Sequence, residues 1–369
     1  MTRVAYTLEQ CWHRVPGGTA ASALGTARAL AARGDVELVG VSARHRRPPA
    51  APWVPPVPVR QLPLPRPLLY ECWHTLRAAR VDRATGRVDV IHATGMAVPP
   101  RSAPLVVTVH DLAFLKHREY GTPNGQRFFR RSLDLARRDA DLVLCPSEAT
   151  RQDCIANGIR AERVRVVPWG VEAACDRVPI DPASIGDRLA RFGLADTPYV
   201  LWVGTIEPRK NLTALVEAFA RIKARGVLLA VVGPAGWNED LRARLAPIAA
   251  RTRVLGFVDA DDLRLLHQQA AVFCYPSLYE GFGMPVLEAM AAGTAVVTSR
   301  GTATEEVLGD AGLAVDPRDP AAIADAITAL LDDPARRAIL GAAAAARAAT
   351  FTWERTAALT SAAYEAVRS

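Results

Sequence analysis

Short apolar, β-prone runs alternate along this chain with longer segments whose apolar residues recur at helical spacing. In the first half the runs are Val4–Leu8, Glu37–Ser42, Val88–His92, Leu105–Val109, Leu142–Cys145 and Val164–Val167. Between them Thr19–Arg33 and Gln126–Ala140 read as helices, and Ser147 stands where an N-cap opens another. After a polar linker at Asp176–Asp187 the pattern restarts with Val200–Val203. It continues through Val227–Val232, Val254–Leu255, Val272–Tyr275, Ala295–Thr298 and Leu313–Val315. Leu212, Leu215, Val216, Phe219 and Ile222 mark an amphipathic helix in this second series. Beyond Pro320 the pattern is helical: Pro320–Leu331, an Ala-rich run from Pro334, and Trp353–Val367. Strands alternating with helices predict an α/β chain with parallel sheets. Two series predict two doubly wound domains, 1–176 and 177–350, with 351–369 as a terminal helix. No sequence repeat links the halves, so the duplication is read from strand order alone.

One stretch interrupts the alternation. Residues 43–69 read ARHRRPPAAPWVPPVPVRQLPLPRPLL, too rich in proline for a helix or a central strand. They are expected to form a long extended loop, with Arg44, Arg46, Arg47, Trp53, Arg60 and Arg66 able to touch lipid or acceptor.

Candidate chemistry concentrates in residues 272–293, VFCYPSLYEGFGMPVLEAMAAG. The strand-like run stops at Pro276, and a helix is expected to begin near Pro285, since proline suits the first helical position. Its open N-terminus faces Gly281 and Gly283, whose missing side chains allow a ligand close to the backbone. Free N–H groups at Gly283 and Met284 would suit phosphate. Glu280 and Glu288 bracket this turn with seven residues between them; a lone carboxylate there commonly only caps the helix. Arg209 and Lys210 follow Gly204 at a strand-to-helix turn, a fork and a point charge suited to a diphosphate. Gly17 and Gly18 occupy the turn after the first strand, without a G-x-G-x-x-G, which disfavours a dinucleotide-binding dehydrogenase. His110 lies beyond the carboxyl end of a strand, where open α/β sheets bind ligands; on the residues alone it reads rather as a histidine that satisfies nearby backbone. Asp259, Asp261 and Asp262 suggest a metal site on paper, but Asp261 and Asp262 directly precede a helical pattern and read as caps.

The glutamate pair and the residues between resemble the E-x7-E signature of retaining glycosyltransferases of family 4, the two-Rossmann-domain (GT-B) class. Gly204-Thr-Ile-Glu-Pro-Arg-Lys-Asn211 is similar to that family's donor-phosphate motif, and the resemblance covers nearly the whole chain. It implies two facing Rossmann-like domains with an interdomain cleft, the donor on the second, the acceptor on the first, and the last helix crossing back. It implies roles as well: Glu280 binding a hydroxyl of the donor sugar, Glu288 the ribose, and Gly17, Gly18, Arg209 and Lys210 the donor phosphates. His110 would face the reacting sugar, and the Gly256-Phe257-Val258 backbone would hold the base. Trp169 departs from the family pattern, where Asn usually precedes Gly170. With His110-Asp-Leu-Ala-Phe114, the phosphate motif is most similar to the mannosyltransferase branch. That implies GDP-mannose, with UDP-linked sugars as alternatives, no metal and no cofactor. Acceptors left open are a saccharide, a lipid-linked saccharide, a phospholipid or a small molecule. The alternatives are a nucleotide-sugar epimerase of the same fold and a non-catalytic nucleotide-sugar-binding module. A phosphorylase would need pyridoxal phosphate on a lysine, and Lys116, Lys210 and Lys223 offer no context for it.

Composition adjusts this picture in four ways. With 369 residues, half of them hydrophobic, each domain has material for its own core. No apolar run reaches the ~18 residues of a membrane helix, and MTRVAYTLEQ lacks the features of a signal peptide, so a cytoplasmic protein is expected. Six scattered cysteines (Cys11, Cys72, Cys145, Cys154, Cys175, Cys274) form no C-x-x-C and suit buried free thiols. The net charge of +7 is uneven: residues 1–176 carry 25 Lys/Arg against 16 Asp/Glu, and the remainder 20 against 22. Basicity in the acceptor half points to an anionic partner, either an anionic membrane surface on the inner leaflet or a phosphorylated acceptor. Arg127, Arg130, Arg131 and Arg138, with Phe128 or Phe129, are the candidates for a membrane contact; such a charge run is more commonly a solvated helix face. A basic stripe interleaved with aromatics is missing, so nucleic acid is not expected as a partner.

Overall fold

The computed structural model describes residues 1–116, 122–172, 180–223, 226–234 and 241–368; Cys175 and the start of the expected linker lie outside them. The chain divides into two compact units, Met1–Gly170 with Phe351–Ser369, and Val171–Thr350.

The first unit is built on a fully parallel sheet of β1 (Thr2–Thr7), β2 (Val36–Ser42), β3 (Val59–Gln61), β4 (Val90–Ala93), β5 (Leu105–Thr108), β6 (Leu142–Cys145) and β7 (Val164–Val166). The spatial order is β3-β2-β1-β4-β5-β6-β7, so the direction of winding reverses between β1 and β4. Successive side chains point to opposite faces of a strand, and here both faces are apolar. Ala5, Ile91, Val107 and Val143 enter one core; Val4, Tyr6, Val90, Val106 and Leu142 enter the other.

The second core is closed by two helices. Gly17–Arg33 contributes Ala23, Leu24, Ala27 and Leu30, and the terminal helix Trp353–Arg368 contributes Ala357, Ala363 and Tyr364. Gly25 lets them approach, since a Cβ there would lie 2.5 Å from the Trp353 ring. The terminal helix is also fastened by polar contacts. Tyr364 Oη lies 2.7 Å from His92 Nδ1, Thr356 Oγ1 donates to the Pro168 carbonyl, and Arg368 donates to Thr2 Oγ1.

The second unit carries β8 (Tyr199–Val203), β9 (Leu228–Val232), β10 (Thr252–Gly256), β11 (Val272–Tyr275), β12 (Val296–Ser299) and β13 (Leu313–Val315). All pairings are parallel, in the order β10-β9-β8-β11-β12-β13. The reversal now falls between β8 and β11, which are buried along their whole length. Both sheets are therefore doubly wound and Rossmann-like.

Four expectations need correction. Residues 43–69 are not loop throughout: β3 lies at the sheet edge and a helix spans Arg66–Glu71 with Pro67 in its first turn. β3 itself holds no proline, lying between Pro58 and Pro63, and Pro67 is tolerated because a first-turn N–H has no intrahelical partner. The expected linker ends in a helix, Pro182–Arg191, capped by Asp181 accepting from Ala183 N. The helix after β1 begins at Gly17 rather than Thr19, so Gly17 and Gly18 form its exposed first turn. Asp259, not Asp261 or Asp262, caps Ala260–Gln269; the Asp262 carboxylate is instead engaged by Arg188 and Arg191.

Packing also restricts the expected basic surface. On the helix Pro123–Asp139, Phe128 is stacked on Tyr70 and His74, at centroid distances of 5.6 and 4.6 Å. Arg131 Nε donates to the His74 carbonyl and Arg138 pairs with Asp139. Arg127, Arg130 and Phe129 remain exposed. No described helix is long and apolar enough to cross a membrane. Cys11, Cys145, Cys154 and Cys274 are buried free thiols, and Cys72 is half-buried.

Two buried histidines give the first unit an acid sensitivity. Burial, aided by His110, takes His92 from 6.5 down to about 3; burial, then Arg77 and Arg131, takes His74 down to about 4. Both are neutral when folded and regain an ordinary pKa when unfolded. Their stabilisation is complete above about pH 6.5 and is lost as pH falls toward the folded values. Each contributes a slope of up to about 1 kcal/mol per pH unit in that window. Denaturant unfolding between pH 7 and 5 should show stability falling with pH, and His92→Gln should flatten the slope. An unchanged slope in that variant would remove His92 from the account.

Candidate active site

At the carboxyl edge of the second sheet, three glycines stand side by side at the ends of β8, β9 and β10. Gly204 N donates to the Val232 carbonyl, and Gly233 N donates to the Gly256 carbonyl. A Cβ on Gly233, which has φ +132°, would lie 2.0 Å from the Gly204 oxygen, so only glycine fits. Phe257 follows at 80% exposure, with Val258 half-buried beside it.

The loops leaving β8 and β11 meet where the winding reverses, the crevice at which doubly wound sheets bind ligands. The first loop turns through a short 3-10 segment, Pro208–Lys210, and Asn211 adopts φ +56° before the helix Leu212–Arg221. Asn211 Nδ2 donates to the carbonyls of Pro276 (3.0 Å) and Pro317 (2.6 Å). The Arg209 carbonyl accepts from Leu278 N at 2.8 Å. These bonds stitch the two loops together.

Between them sits the Glu280 carboxylate, 8% exposed. Lys210 Nζ and Glu280 Oε1 are in direct contact, and Arg209 Nη1 donates to Oε2 at 3.0 Å. Tyr275 Oη and Ser277 Oγ each lie 2.9 Å from Oε1. Glu207 braces Arg209 from the other side at 3.1 Å. Burial by itself pushes the Glu280 carboxyl up, but Lys210 and then Arg209, with the hydrogen bonds, outweigh it and bring it down to about 2. Glu280 is thus an ionised acceptor, unable to serve as a proton donor near neutral pH.

The helix Met284–Ala291 starts immediately beyond. Gly283 has φ +110°, and a Cβ there would press on Thr304 at 2.7 Å. Gly281 is buried, Met284 half-buried, and Glu288 half-buried one turn along the same helix. Gly204, Arg209, Lys210, Glu280, Gly281, Gly283, Met284 and Glu288 are thus gathered around the ends of β8 and β11.

Gly17, Gly18 and His110 belong to the first unit. Gly17 and Gly18 open the helix after β1, with nothing within 4 Å of where a Cβ would be. His110 follows β5, and its Nε2 donates to the Thr94 carbonyl at 2.7 Å, which fixes the proton on that nitrogen. Burial lowers its pKa, the Thr94 bond and Asp111 opposing, so the ring is neutral. Nδ1 is then a buried lone pair with no hydrogen-bond partner among the described residues. Trp169 lies against this ring at a centroid distance of 5.4 Å, so the residue that departs from the family pattern packs on His110. His92, Thr94, Thr108, His110, Trp169 and Thr356 help line a cavity of about 20 Å³. Thr94 is itself tied to β1, donating to the Thr7 carbonyl and accepting from Gln10.

Sequence reasoning missed Tyr275, Ser277 and Thr94. Tyr275 and Ser277 flank Pro276 inside the very stretch singled out, but read as strand and turn; only the fold turns their hydroxyls onto Glu280. Thr94 acts through its carbonyl, which no residue type announces.

The glycosyltransferase group 1 family matches residues 197–333, and Glycosyltransferase Family 4 matches residues 16–174. Over 78% of both chains this one is 34% identical to the O-antigen chain mannosyltransferase B of Escherichia coli. It is 35% identical to the D-inositol 3-phosphate glycosyltransferase of Acidothermus cellulolyticus, over 89% of this chain and 81% of that one. Among solved structures, Anabaena Alr3699/HepE in complex with UDP and glucose superposes with a TM-score of 0.78. It is 21% identical, over 99% of this chain and all of that one. The sucrose-phosphate synthase of Thermosynechococcus elongatus gives 0.77 at 23% identity, over all of this chain and 99% of that one. At such identities the likeness speaks for the fold. Fold, families and relatives together define a glycosyltransferase built on Rossmann-like units. The chain belongs to glycosyltransferase family 4.

The buried ion cluster makes a stability prediction. Glu280→Gln keeps the shape but turns an amide toward groups that are all donors, and strands Lys210, itself 8% exposed. Removing one partner of a buried pair is expected to cost about 3 kcal/mol. Denaturant unfolding of the variant should show that loss; a change below about 0.5 kcal/mol, the range of ordinary surface substitutions, would mean the cluster is not held as described.

Proposed function

We propose that this enzyme transfers a hexose from a nucleoside diphosphate sugar to an acceptor hydroxyl, retaining the α configuration and using neither metal nor cofactor. One observation carries the reading: an ionised Glu280 with Arg209 and Lys210 at the point where the second sheet reverses. A carboxylate that only accepts hydrogen bonds suits sugar hydroxyls, and the adjacent cations suit the diphosphate. The bond broken leaves that diphosphate with an additional negative charge. Arg209 and Lys210 supply the compensation that a metal supplies elsewhere. Glu288 would bind the ribose, the Phe257–Val258 segment the base, and His110 Nδ1 would accept from a hydroxyl of the reacting sugar. The leaving phosphate takes the acceptor proton, so no enzymic nucleophile is assigned.

Mannose is the preferred sugar, because one relative is named a mannosyltransferase over most of both chains. GDP-mannose is accordingly the first donor to test, against UDP-glucose. Arg209→Ala should lower turnover roughly a hundredfold or more while leaving the fold intact; near-normal activity with a matched donor would overturn the phosphate assignment. A thermal-shift panel of nucleoside diphosphates decides the base, since a ligand bound only by the folded state raises the melting temperature. Stronger stabilisation by UDP than by GDP would reject the mannose assignment.

The acceptor is proposed to be anionic or carried on an anionic membrane surface on the cytoplasmic side, because the excess of positive charge lies in residues 1–176. Arg127 and Arg130 beside the exposed Phe129 are the contact that packing leaves available. Each such cation contributes about 1 kcal/mol near an anionic bilayer. Flotation with anionic liposomes at low salt should carry the protein upward, and Arg127→Glu with Arg130→Glu should abolish it. A wild-type protein that stays at the bottom would favour a soluble anionic acceptor.

A further inference from the structure

Glu280 is surrounded unevenly. Among the described residues its Oε1 is approached by Lys210 Nζ, Tyr275 Oη and Ser277 Oγ, its Oε2 by Arg209 Nη1 alone. A carboxylate oxygen has about two lone-pair directions. Oε1 is therefore saturated, and Oε2 keeps capacity for one more donor. The groups on Oε1 are not equivalent. The Ser277 hydroxyl has a single proton with three acceptors in reach: Oε1 and the carbonyls of Arg209 and Tyr279. Among the described residues the Tyr275 hydroxyl has one acceptor in reach, Oε1.

Tyr275 is fully buried at the end of β11, with its ring stacked on Phe273 at 5.9 Å. Lys210 Nζ lies 5.3 Å from the centre of the same ring. A rigid side chain thus touches both the carboxylate and one of its counter-ions. We propose that Tyr275 is a positioning residue that locks Glu280 through Oε1 and so leaves Oε2 as the oxygen offered to the donor sugar. Burial, then the neighbouring carboxylate, holds the tyrosine well above its ordinary pKa, so it remains a donor at every working pH. The inference rests on the assignment of this site to a nucleotide sugar.

The test separates sugar from diphosphate. Calorimetric titration of the wild-type chain, Tyr275→Phe and Ser277→Ala would use GDP with GDP-mannose, and UDP with UDP-glucose. For the pair that the wild type binds, Tyr275→Phe is expected to weaken the nucleotide sugar roughly tenfold, the effect of one hydrogen bond to a charged group. Its affinity for the bare diphosphate should stay within about threefold, because Arg209 and Lys210 are retained. Ser277→Ala should shift affinities the same way by less, since its proton is shared. An equal loss for sugar and diphosphate, an unchanged nucleotide-sugar affinity, or a Tyr275→Phe chain that does not fold overturns the positioning role. A wild type that binds none of the four overturns the nucleotide-sugar assignment itself, and this proposal with it.

Discussion

An ionised carboxylate cannot be taken out of water without partners, and in this protein that requirement governs the second unit. Desolvating a carboxylate costs several kcal/mol even after relaxation. Glu280 offsets it with two cations and two hydroxyls. They come from two segments 65 to 68 residues apart in sequence. Those segments meet because β8 and β11 are neighbours in the sheet, which follows from the reversal of winding between them. The glycines serve the same end: Gly233 lets the backbone after β9 close on Gly204, and Gly283 lets the helix beyond Glu280 start against Thr304.

The first unit solves a similar problem with neutral groups. His92 is enclosed between Tyr364 and Thr108 hydroxyls, and His110 hands its one proton to the Thr94 carbonyl. Neutral imidazoles avoid the desolvation of a charge, and each needs only one acceptor for its proton. The Tyr364 contact is also what fastens the terminal helix, 272 residues away in sequence, to the centre of the first sheet. Fold and polar network are here the same object. Trp169 belongs to it, packing its ring against His110.

Charge on the surface follows a different logic. The basic helix Pro123–Asp139 looks in sequence like a stripe of equivalent arginines. Folding divides them: Arg131 holds a helix end, Arg137 and Arg138 pair with Asp134 and Asp139, and Arg127 and Arg130 remain outward. Phe128 is drawn into the aromatic stack with Tyr70 and His74. Sequence counting therefore overstates the charge and apolar area that such a helix can present to a partner.

What the sequence determined by itself is what short-range periodicity and turn chemistry encode. Twelve of the strands coincide within about two residues with apolar runs, and the central ones, buried on both faces, must be continuously apolar. The positions of Glu280, Arg209 and Lys210 at strand-to-helix turns were legible as well, since each follows an apolar run and precedes a helical pattern. The edge strand β3 and the helix at Arg66 were not, because flanking prolines hide a three-residue strand and a first-turn proline hides a helix start. Only the tertiary structure decided that Tyr275 and Ser277 serve Glu280, that Thr94 holds His110, and that Asp262 serves two arginines. Each of these depends on which loops the sheet order brings together. That order is set by long-range packing, and no local pattern in the chain records it.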